Sequence, residues 1–166
     1  MKAWLQRSVE EQRLLNPAFC SLLLWHSASG YKKASSISEP MPFAETFLVL
    51  PAVLHSEARN SLPRTVATSL AVWTGENAMT RAIIADRARL LVPFTKEAIL
   101  FGSSHGLLTF SGGGILANRD WSEQIESANF GSDEVQSCCK RAAFVGRWFA
   151  KTGDAETVMA LLGVQP

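Results

Sequence analysis

The sequence predicts a mainly α fold carrying one small β-hairpin: a winged-helix-like domain with additional C-terminal helices. Three observations carry that prediction. Between Pro93 and Asn118 the period changes, from helical spacing over Ala98, Ile99, Phe101 and Gly102 to short β-prone runs at Leu107 to Phe110 and Ile115 to Asn118. Ser111, Gly112, Gly113 and Gly114 separate those runs and supply the positive φ angles of a tight turn. The rest of the chain is punctuated by cap and stop residues at helical intervals. A length of 166 residues suffices for one sizeable core and is short for two. One domain over 1–166 is therefore expected, with a winged-helix-like core at about 41–118. N-terminal helices over 8–31 and C-terminal helices over 132–163 pack on that core.

Ser8 to Leu15 reads as a short surface helix. Asn16 then caps, and Pro17 opens, a helix reaching Tyr31 in which Phe19, Leu22, Leu23 and His26 recur at helical spacing. It is expected to be largely buried. Lys32 to Pro40 is serine-rich and aperiodic, the best candidate for a mobile loop. From Met41 the chain turns apolar: Phe43, Phe47, Leu50 and Leu54 share a helical face that Leu48, Val49 and Val53 widen. This is the expected central helix, with Pro51 as a kink or junction.

Ser61 and Pro63 signal a further helix through Arg64 to Asn77, stopped near Gly75. Asn77 caps the next, which carries Met79, Ile83 and Leu90 and ends at Pro93. Thr95 begins a separate helix closed by Gly106, with His105 near the negative end of its dipole. After the hairpin, Arg119 to Gly131 shows no clear period. Ser132 then caps the clearest amphipathic helix, where Val135, Cys138, Ala142, Val145 and Phe149 trace one seam. Ala143 and Gly146 leave a second side smooth enough for close backbone approach, and Gly153 stops the helix. Asp154 caps a last helix that turns Val158, Leu161 and Leu162 inward and stops at Gly163.

Composition narrows the function. With 47% hydrophobic and 19% charged residues, five tryptophans and nine phenylalanines, the chain holds more large apolar groups than one small core readily hides. Some of that surface is expected to meet a partner. The net charge of +1 provides no global field toward nucleic acid or anionic lipid. Cys20, Cys138 and Cys139 are odd in number, and the adjacent pair cannot join without strain, so they read as reduced, buried thiols of a cytoplasmic protein. The charged amino end does not read as a signal peptide, and the apolar run from Met41 to Leu54 is too short and too broken to span a bilayer.

The search for chemistry returns no catalytic, cofactor or metal set. His26, His55 and His105 lie on unlike elements, Cys138 sits on a buried seam, and Glu45 and Glu57 have no periodic partner. The glycines at 112–114 precede a strand, whereas a phosphate cradle precedes a helix. An enzyme is not expected. For nucleic acid, the hairpin and the helix before it offer Lys96 and then Arg119, with Arg87 beside Arg81 and Arg89 as a weaker patch.

The segments NPAFCSLLLWHSASGY, FLVLPAVLH followed by LPRT, TKEAILF, HGLL and GRWFAKTGDAETVMALLGVQP, in that order and over nearly the whole chain, resemble the middle component of bacterial three-component ABC-ATPase systems. The resemblance implies a non-catalytic accessory subunit encoded beside an SMC- or Rad50-like ABC ATPase and an effector, in systems related to Lamassu-type defence against phage or plasmid DNA. It further implies bracing of the ATPase and control of the effector, with DNA reached through the complex. No catalytic motif of that family maps onto residues here. Phe101, Leu107, Trp148 and Phe149 are the candidate partner contacts. The alternative is a winged-helix DNA-binding protein, a regulator or a DNA-contacting arm, using Lys96, Arg119 and Arg87.

Overall fold

Two long helices cross through their glycines and frame the rest. The structure, a computed structural model, describes residues 8–35, 39–128, 130 and 132–164. After the short α1 (Val9–Leu14), α2 (Pro17–Ala34) opens as its sequence requires: the Asn16 side chain accepts from the Ala18 amide, and Pro17 occupies the first turn. Its counterpart α8 (Asp133–Thr152) is capped by Ser132, which accepts from the Val135 amide. A β-carbon on Gly30 would collide with the Ala143 carbonyl, and one on Gly146 with the Ser27 carbonyl, so the two backbones touch directly. α2 and α8 form the most extensive helix pair in the fold. The smooth side expected at Ala143 and Gly146 is the side they use.

α2 extends past Tyr31 into the serine-rich stretch expected to be a loop; residues 36–38 of that stretch lie outside the described residues. The central helix α3 (Phe43–Leu54) buries Leu48, Val49, Leu50, Ala52 and Val53 and carries Pro51 inside it. α6 (Ala78–Ser104) corrects two expectations together. It runs unbroken through Pro93, and Thr95 is a buried interior residue instead of a helix start. Pro93 faces solvent, while Leu91, Ala98 and Ile99 on either side of it are buried. Core contacts on both flanks hold the helix together across the proline. Asn77 does stand at its start, but its amide group donates to the Trp73 carbonyl instead of capping.

The helix expected from Arg64 begins later. α4 (Ser56–Ser61) is capped by His55, and α5 (Leu70–Glu76) by Ser69, with Pro63 in the loop between them. The hairpin forms as expected, from β2 (Leu108–Ser111) and β3 (Gly114–Ala117), with Phe110 opposite Ile115. Gly112 and Gly113, at φ of 53° and 80°, make the two-residue turn. A third strand was not expected: β1 (Met41–Pro42) pairs antiparallel with β3, giving the order β1-β3-β2. Helix, short strand, helices, strand, glycine turn and strand make a winged-helix-like connectivity.

The aperiodic stretch after the hairpin holds a 3-10 turn (Arg119–Trp121) and α7 (Ser122–Ser127). Trp25 on α2 donates from its indole nitrogen to the Asn118 carbonyl at 2.9 Å, and the Asn118 amide donates to Gly106 at 2.9 Å, which pins the hairpin to the helices. α9 (Ala155–Leu162) closes the chain, capped by Asp154, with Val158 and Leu162 buried. No helix among the described residues is long and apolar enough to cross a membrane.

Candidate partner-binding face

The three histidines make structural contacts. His55 Nδ1 accepts from the Ala58 amide at 3.3 Å as a helix cap. His105 Nδ1 lies 2.9 Å from the Phe101 carbonyl, and its ring stacks on Phe101 at 4.0 Å. His26 meets Trp25 edge to face. Among the described residues no three histidine, cysteine or acidic side chains converge as a metal site.

All three cysteines are free and buried. Burial pushes the Cys20 thiol up to about 12 and Cys139 to about 11, the reverse of what a nucleophile needs. Cys138 is raised by burial as well; its sulfur lies 3.3 Å from an Arg59 nitrogen and 3.7 Å from the Val53 carbonyl.

The four expected partner contacts divide. Trp148 and Phe149 are core residues, 2% and 1% exposed, which corrects their assignment to a surface. Their helix is covered on more than one side: α2 packs on its glycine side, while α3, α5 and α9 cover others. Trp148 stacks edge-on with Trp73 at 5.5 Å, and its indole nitrogen donates to the Thr68 carbonyl at 2.7 Å. Phe101 and Leu107 are half-buried at the end of α6, and Leu107 packs against the core.

The uncovered apolar surface lies elsewhere. Met79, Leu90 and Leu100 on α6 are 80%, 69% and 70% exposed. Eleven residues turn Leu90 about 20° from Met79 and ten more turn Leu100 about 80° back, so the three share one broad side of α6 over about 30 Å, with Asp86 and Pro93 between them. At the sheet, exposed Phe43 and Phe110 pair at 5.9 Å. Between these features Ala44, Phe47, Val92, Met159 and Val164 line an apolar groove of about 320 Å³, with Arg89 and Lys96 along its α6 side. Phe43 was expected in the core, and Leu100 was not singled out. No apolar period announces the exposed set, since steps of seven from Met79 pass through Asp86 and Pro93 before Leu100.

The three nucleic-acid candidates do not converge. Lys96 borders the groove, whereas Arg87, nine residues away on the same helix, points to the opposite side and keeps a buried Nε without a partner. Arg119 joins Lys32 and Lys33 around a separate pocket of about 270 Å³ that Trp25 and Ser29 also line.

A family model described as "ABC-three component (ABC-3C) system Middle Component 3" matches residues 4–166. No curated protein matches the chain, and no solved structure does.

Proposed function

Because the chain belongs to the Middle Component 3 family of ABC-three component systems, we propose that it is a non-catalytic accessory subunit. It braces an SMC- or Rad50-like ABC ATPase and restrains an effector, in the cytoplasm, within bacterial defence against phage or plasmid DNA related to the Lamassu type. The observation that supports this reading is the set of large apolar side chains Met79, Leu90 and Leu100 left in water along α6. Several large apolar groups exposed on one helix cost solubility and are kept where another protein covers them. Partners are the other components of the same system. Co-expression with those components, followed by purification through a tag on the ATPase, tests the reading. Retention of this chain through gel filtration is expected; a chain that elutes alone contradicts it.

A DNA-contacting arm is the second reading, favoured by the meeting of Lys32, Lys33 and Arg119 at one pocket. It requires duplex binding that weakens steeply with salt and is lost in K32E/R119E. Binding that is unaffected by those changes removes it.

A further inference from the structure

We infer that the groove between α3, α6 and α9 receives an amphipathic helix from another component of the same system, with carboxylates on the flank that meets α6. This rests on the accessory-subunit reading and adds the chemistry of what docks. Arg89 and Lys96 are seven residues apart, two helical turns, so they stand on one side of α6 roughly 10 Å from each other with Val92 between them. Both are exposed, and neither makes an ion pair or hydrogen bond with a described residue. Among the described residues no carboxylate lines the groove; Glu156 borders the adjoining hollow on the α9 side, which Arg89 lines as well. The site is therefore an apolar floor with two uncommitted cations along one wall.

That pattern selects its occupant. A volume of about 320 Å³ admits a few side chains and not a whole helix, so a helix would lie across the mouth and insert apolar anchors from one face. Acidic residues flanking those anchors on one side gain charge-assisted contacts with Arg89 and Lys96. A second copy of this chain docked by the same groove would bring its own Arg89 and Lys96 against these, like charge on like. A nucleic-acid strand would satisfy the cations but cover an apolar floor with phosphates.

The test uses the complex reconstituted from all components of the system, with p-benzoylphenylalanine placed at Val92 as a photocrosslinker. The expected product joins Val92 to a segment of another component that carries apolar residues at helical spacing and Asp or Glu beside them. R89E/K96E should weaken association about tenfold or more at moderate salt. Ala44→Trp, which fills the groove without touching charge, should do the same, while K151E on the surface of α8 should not. Unchanged thermal unfolding shows that each variant is folded.

A crosslink to a second copy of this chain, to nucleic acid or to a basic segment overturns the inference. A complex that survives both R89E/K96E and Ala44→Trp unweakened overturns the groove and leaves the accessory-subunit reading standing. A wild-type chain that joins no complex overturns both.

Discussion

The carbonyl oxygen of Ser27 occupies the space where a β-carbon on Gly146 would stand. The Ala143 carbonyl does the same for Gly30, so α2 and α8 cross at two backbone contacts instead of through side chains. Neither neighbour can swing aside, because each is a carbonyl within a helix. Gly146→Ala is therefore expected to force the helices apart and cost at least about 2–3 kcal/mol, in the upper range for an overpacked core. Gly30→Ala should cost a similar amount. Gly75, whose β-carbon would meet open space, is the control: Gly75→Ala should be neutral or slightly stabilising. Urea unfolding of the three variants checks the order, and equal stabilities would refute the crossing.

A second expectation concerns Arg59. Its guanidinium is buried, donates to the Val53 carbonyl at 2.7 Å and pairs with Glu134, whose side chain is 64% exposed. The pair ties α4 to α8, across 75 residues of chain. Because Glu134 reaches water, its attraction is screened, and Glu134→Ala should cost about 1–2 kcal/mol, below the range for a fully buried pair. Arg59→Ala should cost more, since it also leaves the Val53 carbonyl without its donor and opens a hole beside Cys138. A double-mutant cycle on the two positions measures the coupling. A cycle that closes to zero would show that packing, not charge, joins the helices.

The features legible in the sequence were those set by local hydrogen bonds. Asn16, Ser132 and Asp154 cap helices because a side-chain oxygen reaches an amide two or three residues on, whatever the rest of the chain does. The hairpin was legible for the same reason, through Gly112 and Gly113. What was not legible depends on distant partners. Pro93 argues locally for a break, and only the burial of Leu91, Ala98 and Ile99 by other helices overrides it. β1 exists because Met41 finds Ile115 across most of the winged-helix-like core, and two residues carry no alternation to read. Trp148 is buried by Trp73 and a loop carbonyl some eighty residues away, which no spacing along α8 announces. The groove is the extreme case, since α3, α6 and α9 each give it only one or two residues per turn.

The thiols supply a third prediction. Cys20, Cys138 and Cys139 are buried; burial pushes Cys20 to about 12 and Cys139 to about 11, and raises Cys138 as well, against a lowering pull from Arg59. Because the thiolate is the reactive species, a thiol reagent at neutral pH should label none of them in the native protein and all three in denaturant. Labelling that tracks the unfolding midpoint would agree. Rapid native labelling of one cysteine would show an accessible thiolate and reopen a nucleophilic role.

Glu45 gives the fourth prediction, and its sign is opposite to that of most carboxylates. It lies in the first turn of α3, where the helix dipole favours an anion, yet it is fully buried and neither oxygen has a hydrogen-bond partner. Burial, with a smaller push from Asp154, raises its pKa from 4.5 to about 8. At neutral pH the folded protein therefore holds a proton that the unfolded chain has released. Below about 4.5 the group is neutral in both states and costs nothing through ionisation; from there to about 8 stability falls as pH rises, and above 8 the loss is complete. By pH 7 the loss amounts to about 3 kcal/mol. Glu45→Gln, which cannot ionise, should remove this slope, and Glu45→Leu should also relieve the unpartnered oxygens and raise the unfolding temperature at pH 7. Measured as the stability difference from wild type, both variants should gain steadily between pH 5 and pH 8; in acid Glu45→Gln should converge toward wild type, while Glu45→Leu should keep the part of its gain that comes from removing the unpartnered oxygens. Parallel profiles over that window would mean that the Glu45 carboxylate is already charged in the folded core, and that a partner for it exists in solution.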